Sequence, residues 1–571
     1  MRSIRALSSC LLVLAAAGCQ DPPAQPIGAA HPDDATPRRG GTMRLASFAD
    51  IRTLDPAVTS DALAAEALEL MFAGLVDFDA QGKVAPDLAE RFEVSPDGTD
   101  YRFVLRPGLV FHDGSPLTAA DVKRSIERAL APDTPNSFAS FYDRIVGFED
   151  FTTGKAPHLE GVTVGGTFVV SIRLREPDAT FLSALAMHSL RPVCPGAGDK
   201  YDPTWLPCGA GPFKLVAGNW DRGRSLLLLR HEGYHRPGEP YLDAVQWSYG
   251  MNGVTQRFKL EAGELDGTRE LSLADTARFM RDARWKSLGD YDSARSISAE
   301  GMNVEMPPFD NVEVRRAVAN ALDRDQYRLL RAANLEALTR VLSRSFREDD
   351  PAFPGQKHDL SAALEHMARA GFPYDPTTGQ GGYPKTITYV VYKQGLLELT
   401  AQLLQQQLAR IGLRIELKVV SYSTYLSLTK RRGTTAMAPE GWQQDFPDAS
   451  DFFDPLFASS AINDEDSNNT SFYRNSVLDE LLVRGRKELD PATRKRMYDE
   501  ADAMVCADAP WALTYAYRSW TLHQPYVRGF VPHPVWSEYV AKSWLDRAAS
   551  AVASRSGVLR DVRYAAGGAP P

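Results

Sequence analysis

The chain reads as a multidomain α/β protein, and three observations lead there. Its 571 residues exceed what one hydrophobic core organises, so two or three domains are expected. Segments of strand period alternate with segments of helix period along most of the length. One stretch spells a complete strand–helix–strand unit. "TITYVVY" (Thr386–Tyr392) is a strand, and Leu397, Ala401, Leu404, Leu408 and Ile411 then share one helix face. Gly412 stands where a helix C-terminus favours glycine. Leu413, Ile415, Leu417 and Val419 alternate with Arg414, Glu416 and Lys418 as a second strand. Loops this short around a helix imply a parallel pair with a right-handed crossover.

The other elements follow in chain order. Arg2 and Arg5 precede the apolar run Ala6–Ala17 and then Gly18-Cys19, the pattern of a secretory signal peptide over residues 1–18. "LAAAGC" resembles a bacterial lipobox, which makes Cys19 the lipidated first residue of the mature chain, although Ala16 stands where Leu is commonest. Residues 19–40, rich in Pro, Ala and polar residues, read as a flexible tether. Ser60-Asp61 can cap a helix whose apolar face is Ala64, Leu68, Met71/Phe72 and Leu75. In "TDYRFVLRPGLVFHDGS", Tyr101, Phe103 and Leu105 alternate with polar neighbours before Pro107-Gly108, and Leu109 and Phe111 follow, so a β-hairpin is expected. "LTAADVKRSIERAL" opens with a capping box, Thr118 and Asp121, and continues with Val122, Ile126 and Leu130 at helical spacing. Asp490-Pro491 starts a further helix, Trp511 to Tyr517 alternates as a strand, and residues 546–571 end in a frayed tail.

Composition excludes some functions. A formal net charge of −9 gives no basic footprint for nucleic acid. "HEGYH" (His231–His235) matches the zinc-hydrolase pattern, but Gly233 interrupts it, Pro237-Gly238 follow at once and the strand-like "RSLLLLR" precedes it. The two His therefore do not share a helix face, and no metal is assigned. "NDEDSNN" lacks the Gly and Glu of a calcium loop and reads as a solvated polar loop. "CGAGPFKL" (Cys208–Leu215) lacks a phosphate loop's Lys-Ser/Thr and reads as a tight turn feeding a strand. With no G-x-S-x-G elbow and no convincing triad, catalysis is not expected, and neither is a cofactor. In an exported chain Cys194 and Cys208, flanking a Pro/Gly/Trp loop, are candidates for a disulfide, whereas Cys506 reads as a buried thiol.

Several motifs in a fixed order carry a family resemblance. They are "LDPAVTSDALAAEALELMFAGLVDFD", "YRFVLRPGLVFHDGSPLTAADVKRSIERAL", "CGAGPFKL", "YHRPGEPYLD", "EAGELD", "MNVEMPPFDNVEVRRAVANALDR", "GWQQDFPDASDFFDPLF" and "DAPWALTYAYRSW". Over about Gly40–Leu545 the chain resembles the extracellular solute-binding proteins of family 5, the oligopeptide- and dipeptide-binding lipoproteins of ABC importers. The resemblance implies a periplasmic-binding-protein-like (type II) two-lobe fold with an extra inserted α+β domain. In this frame lobe I takes 41–60, 182–300 and 509–545, the extra domain 61–181, and lobe II 301–508. It also implies a monomeric, non-enzymatic receptor in the periplasm or at the cell surface, held to the membrane by a lipid anchor. Such a receptor closes on a peptide-like solute by a hinge and delivers it to a permease.

The resemblance further implies a site. In "GWQQDFPD" (Gly441–Asp448), Asp445 would pair with the ligand's α-ammonium, Gly441 to Gln443 would run beside its backbone, and Trp442 would wall a side-chain pocket. Ala62 and Leu63 fall where peptide binders place a ligand-pairing segment. The plainer reading is that Asp445 caps the turn before Pro447. The pattern departs from peptide binders in one respect: "AMAPE" precedes the motif and holds no Arg for a ligand carboxylate, while Lys430, Arg431 and Arg432 read as a solvated basic turn. Alternatives are the same fold binding a cationic metabolite, metal complex or sugar, a zinc hydrolase at His231–His235, and a surface lipoprotein without a transporter.

Overall fold

The computed structural model describes residues 36–546 apart from 60–61, 137, 292–295, 331–334, 345, 347–351, 395, 518–519, 531, 534, 536 and 539. The expected signal peptide with Cys19, the expected tether to residue 35, the tail beyond 546 and the expected Ser60-Asp61 cap lie outside the described residues. Among the described residues no helix is long and apolar enough to cross a membrane.

Lobe II is built on one six-stranded sheet in the order Leu335–Ala337, Trp511–Tyr517, Ser296–Met302, Met437–Gln443, Thr386–Tyr392, Arg414–Val420. The expected unit forms: Thr386–Tyr392 and Arg414–Val420 pair in parallel across the helix Leu397–Ala409, and Gly412 takes φ 78° after it. The strand Met437–Gln443 runs parallel to them, and Ser296–Met302 runs antiparallel to both Met437–Gln443 and Trp511–Tyr517. Four strands therefore end at one edge of the sheet, at Tyr392, Val420, Gln443 and Tyr517. Ser296 and Tyr517, the two points where the chain passes to and from lobe I, lie at this same edge.

Lobe I holds a four-stranded sheet in the order Thr42–Ala46, Ala244–Ser248, Ser225–Arg230, Phe213–Asp221, and a three-stranded sheet with Trp520–His523 between Gly267–Thr268 and Gly289–Tyr291. The extra domain is a four-stranded antiparallel sheet (Ala89–Val94, Asp100–Leu105, Val169–Arg173, Val162–Val164) covered by the helix Ala119–Leu130, which carries its capping box. Phe103, Phe111, Val122, Ile126, Tyr142 and Phe181 fill its core.

Three expectations are corrected. Asp100–Leu105 forms no hairpin with Leu109–Phe111; it lies between Ala89–Val94 and Val169–Arg173. Leu109 and Phe111 close their own tight loop, with Phe111 N–H bonded to the Ser115 carbonyl, because both rows of apolar side chains are drawn into the same core. The lobe boundaries shift as well. Ser296–Met302 and Trp511–Tyr517 both belong to the lobe II sheet, so the crossovers fall before residue 300 and after residue 509. The helix Ala62–Met71 packs its Ala64, Leu68 and Met71 face into the lobe I core, and Phe181, Leu185 and Leu190 pack into the extra domain, which runs from about Ala73 to about Cys194. Amphipathic periodicity shows that a face is buried but not which core receives it.

Candidate functional site

The strand Met437–Gln443 is paired along its length on one side only. Ser296–Met302 holds it from Gln443 back to Met437, whereas on the other side the neighbouring strand meets it at the single pair Tyr389–Met437. From Pro439 onward the two parallel strands diverge and leave an open edge, where Pro439 has no N–H to offer. An open strand edge is where an extended ligand can add its backbone.

The chain turns after Gln443, and Asp451 pins the turn. Its Oδ2 accepts the Asp445 backbone N–H at 2.9 Å and the Trp442 indole N–H at 3.4 Å. Asp448 Oδ1 accepts from the Ser450 backbone N–H at 2.8 Å, and Arg494 pairs with the same carboxylate. The capping work thus falls to Asp448 and Asp451. The Asp445 carboxylate is half-buried, and among the described residues no donor or cation meets it. Desolvation pushes its pKa up, and desolvation together with the Asp445 charge pushes the buried Asp451 well above the carboxylate range. A carboxylate in that position gains from any cation brought to it.

Phe446, the next residue, is wholly buried and sits in the core of the extra domain, edge-on to Phe141 at 5.4 Å. Lobe II is thereby plugged into lobe I beside Asp445. Tyr142, whose hydroxyl is 2.7 Å from Ser189 Oγ and donates to the Ala184 carbonyl, is near enough for Asp445 to raise its pKa. Phe141 stacks on Phe138, which meets His188, and His188 Nε2 lies 2.9 Å from the Thr59 carbonyl oxygen. This line of rings links the Asp445 turn to the segment just before Ala62. Ala62 and Leu63 themselves form the first turn of a helix instead of an extended segment, so only first-turn N–H groups are available there. Gly441 and Gln443 are exposed, and Trp442 is half-buried against the cluster of Phe452, Phe453 and Ile297.

The lobes meet a second time at Arg486. Its guanidinium donates to Asp178 Oδ2 of the extra domain at 2.6 Å, lies 3.4 Å from Asp143 and 3.6 Å from Asp454, and its carbonyl accepts the Ala179 N–H at 2.8 Å. Lys487 pairs with Glu176 beside it.

The basic turn separates into two kinds of residue. Arg431 pairs with Glu465, and Arg432 pairs with Glu305 and Asp464, at the surface. Lys430 turns inward, donates to Asn468 Oδ1 at 3.0 Å and has its pKa lowered by burial, with a contribution from the nearby guanidinium of Arg52 in lobe I. No carboxylate pairs with Arg52 among the described residues. Glu440 faces Lys430, and burial pushes its carboxyl up to about 8. The loop Asp464–Thr470 is not merely solvated: Ser467 and Asn469 are fully buried, and Asn469 Nδ2 bonds the carbonyls of Ala458 and Tyr473. None of Lys430, Arg52 or Glu440 was singled out in the sequence as a site residue. The one signal available was the inward-facing position that Glu440 occupies two residues before Trp442.

The remaining sequence candidates lie away from this edge. Cys194 and Cys208 are disulfide-bonded with Cα atoms 5.5 Å apart, and Cys506 is a buried free thiol. His231 and His235 occupy a turn and face different partners: His231 Nδ1 lies 3.1 Å from the Gly211 carbonyl and His235 Nε2 3.0 Å from Asp87. The glycines of "CGAGPFKL" allow a close approach: a Cβ on Gly211 would lie 2.5 Å from the Met71 carbonyl carbon, and the Gly211 N–H bonds the Met71 oxygen.

Comparison with known proteins bears on this arrangement. The family model for the bacterial extracellular solute-binding proteins, family 5, matches residues 83–464. The glutathione-binding protein GsiB of Salmonella typhi is 27% identical over 501 residues, 85% of this chain and 91% of that protein. Among solved structures, the periplasmic binding protein DppA from Helicobacter pylori in complex with the peptide STSA superposes with a TM-score of 0.78 at 24% identity, covering 89% of this chain and 98% of the other. The oligopeptide-binding protein AppA from Bacillus subtilis, in complex with a nonapeptide, gives 0.77 at 22% identity, covering 90% and 100%. These likenesses establish the type II two-lobe fold with its extra domain.

Proposed function

We propose a peptide-receptor function on one premise: the chain belongs to the bacterial extracellular solute-binding proteins of family 5, a family of binding proteins and not of enzymes. In this reading it is the substrate-binding component of an ABC importer. It captures a short peptide-like solute between its lobes and delivers it to a permease, while a lipid on Cys19 and the tether keep it at the membrane. The relatives named for glutathione and for peptides support that substrate class.

The observation that carries the reading is the Asp445 carboxylate, half-buried where the lobes meet and without a partner among the described residues, at the end of an open strand edge. An α-ammonium brought there gains a charge-assisted hydrogen bond, which contributes about 1.5–3 kcal/mol. The backbone of Gly441–Gln443 pairs with the extended ligand, and Trp442 contributes apolar surface. Lys430 and Arg52, one from each lobe, supply the positive charge for a ligand carboxylate, so a zwitterion bridges the lobes and favours the closed state.

The test is native mass spectrometry of the mature chain as purified from cells. A spread of extra masses matching short peptides is expected. A single non-peptide mass would reassign the substrate to another class.

A further inference from the structure

The carboxyl-terminal edge of the lobe II sheet carries a second feature that the ammonium and carboxylate contacts leave unused. Tyr392 ends one strand, Tyr517 ends another, and Tyr422 opens the helix Tyr422–Thr429 that follows a third. Tyr392 lies 4.9 Å from Tyr422 and 4.7 Å from Tyr425, and Tyr422 and Tyr425 stack at 6.1 Å. Tyr425 donates to the Pro439 carbonyl, which ties the cluster to the diverging strand. Tyr422 is 57% and Tyr517 40% exposed, large values in a chain that buries most of its aromatic rings. Burial raises the pKa values of Tyr392 and Tyr425, with smaller contributions from Tyr422 and Glu440 to each. Lys430, which Glu440 faces, also donates to Asn468 and offsets the burial of Glu440 only in part.

We propose that the recess between the diverging strands Thr386–Tyr392 and Met437–Gln443, walled by Tyr392 and Tyr422 beside Glu440, is a subsite for a cationic side chain of the bound solute, an ammonium or a guanidinium. This rests on the peptide-receptor reading and deepens it. Ring faces attract a cation, and most strongly when water is excluded, as it is when lobes close over a ligand. The carboxyl of Glu440 decides between a cation and a purely apolar group. A cation favours the ionised form of the Glu440 carboxyl, which burial disfavours and Lys430 offsets only in part, whereas an apolar side chain would bury that carboxyl further. Ligands in open α/β sheets collect at the carboxyl ends of the strands, where these residues stand.

The experiment is calorimetric titration of the mature chain at neutral pH with Ala-Lys-Ala, Ala-norleucine-Ala and Ala-Phe-Ala. The Lys peptide is expected to bind about tenfold more tightly than the norleucine peptide of similar length. That ratio should fall toward one in Tyr422→Ala and in Glu440→Gln, and persist in Tyr422→Phe, which keeps the ring. Tyr422 is exposed, so its variants test the subsite even where Glu440→Gln disturbs folding. Peptide binding with no preference for Lys over norleucine, a preference for Phe, or a Lys preference that survives Tyr422→Ala overturns the subsite and leaves the receptor reading standing. Failure of all three peptides to bind overturns the peptide reading and the subsite with it.

Discussion

Removing the charge from Asp178 should weaken ligand binding without touching the ligand site. The Asp178 carboxylate is wholly buried. One oxygen accepts Arg486 Nη2 at 2.6 Å, and the other accepts the Thr180 N–H and hydroxyl. Asp178→Asn keeps the shape and the Thr180 contacts but loses the charge-assisted bond to lobe II. A bond of that kind contributes about 1.5–3 kcal/mol, or about tenfold to about a hundredfold in an equilibrium constant. Asp143 and Asp454 remain beside Arg486, so the lower end applies, and apparent affinity should fall about tenfold on the premise that this bond forms as the lobes close. Calorimetry with a bound peptide measures the affinity, and small-angle scattering measures the closed fraction at saturating and zero ligand. A cycle with Arg486→Met isolates the pair: the shortfall from additivity reports the Asp178 bond, apart from what Arg486 loses at Asp143 and Asp454. Unchanged affinity and an unchanged closed fraction in Asp178→Asn would refute the idea that this contact holds the lobes together.

Further outcomes are expected. Asp445→Ala should weaken peptide binding by about tenfold or more, the loss of one charge-assisted bond, as read by calorimetry; unchanged affinity would remove Asp445 from the site. Glu300, buried on a crossover strand and bonded by the Tyr389 and Tyr327 hydroxyls, has its pKa raised by desolvation from an ordinary 4.5 to about 7. The folded state therefore holds this proton more tightly than the unfolded chain, and the stabilisation, present below pH 4.5, is lost as pH rises toward 7. Denaturant titrations should show the wild-type advantage over Glu300→Gln shrinking by up to about 3 kcal/mol across that window, and a flat difference contradicts it. Cys194→Ser with Cys208→Ser should cost about 3 kcal/mol of stability by loop-closure entropy, visible as a lower denaturant midpoint; an unchanged midpoint would show that the bond adds nothing. Cys19→Ser should move the chain from the membrane fraction to the soluble fraction, and retention in the membrane would argue against the lipid anchor.

Legibility in the sequence followed the range of the interaction. The unit Thr386–Val420 was readable because propensity, period and a glycine C-cap agree within one short stretch. The hairpin after Leu105 failed because alternation marks a strand but not its partner: Asp100–Leu105 found Val169–Arg173, far along the chain. The lobe boundaries drifted for a similar reason, since nothing local in Ser296–Met302 or Trp511–Tyr517 says which sheet each joins. The role proposed for Asp445 comes only through the motif that contains it. Lys430 was hidden in a run with Arg431 and Arg432, and only the end of its helix turns one of the three inward. Tyr392 and Tyr422 come from two segments and form no sequence pattern, although Tyr392 stands at a strand end where ligands gather.

The position of lobe II within the chain sets an order of assembly. All of its strands lie between Tyr291 and Trp520, so it is complete in a nascent or translocating polypeptide before lobe I is. Lobe I must wait: Gly267–Thr268 and Gly289–Tyr291 pair with nothing in their own sheet until Trp520–His523 arrives between them. During that interval two short strands present unsatisfied edges, the kind of surface that invites wrong partners and chaperone capture. A late stretch, Trp520–His523, therefore closes the first domain begun, and truncations just after Tyr517 should yield a folded second lobe on an unfinished first.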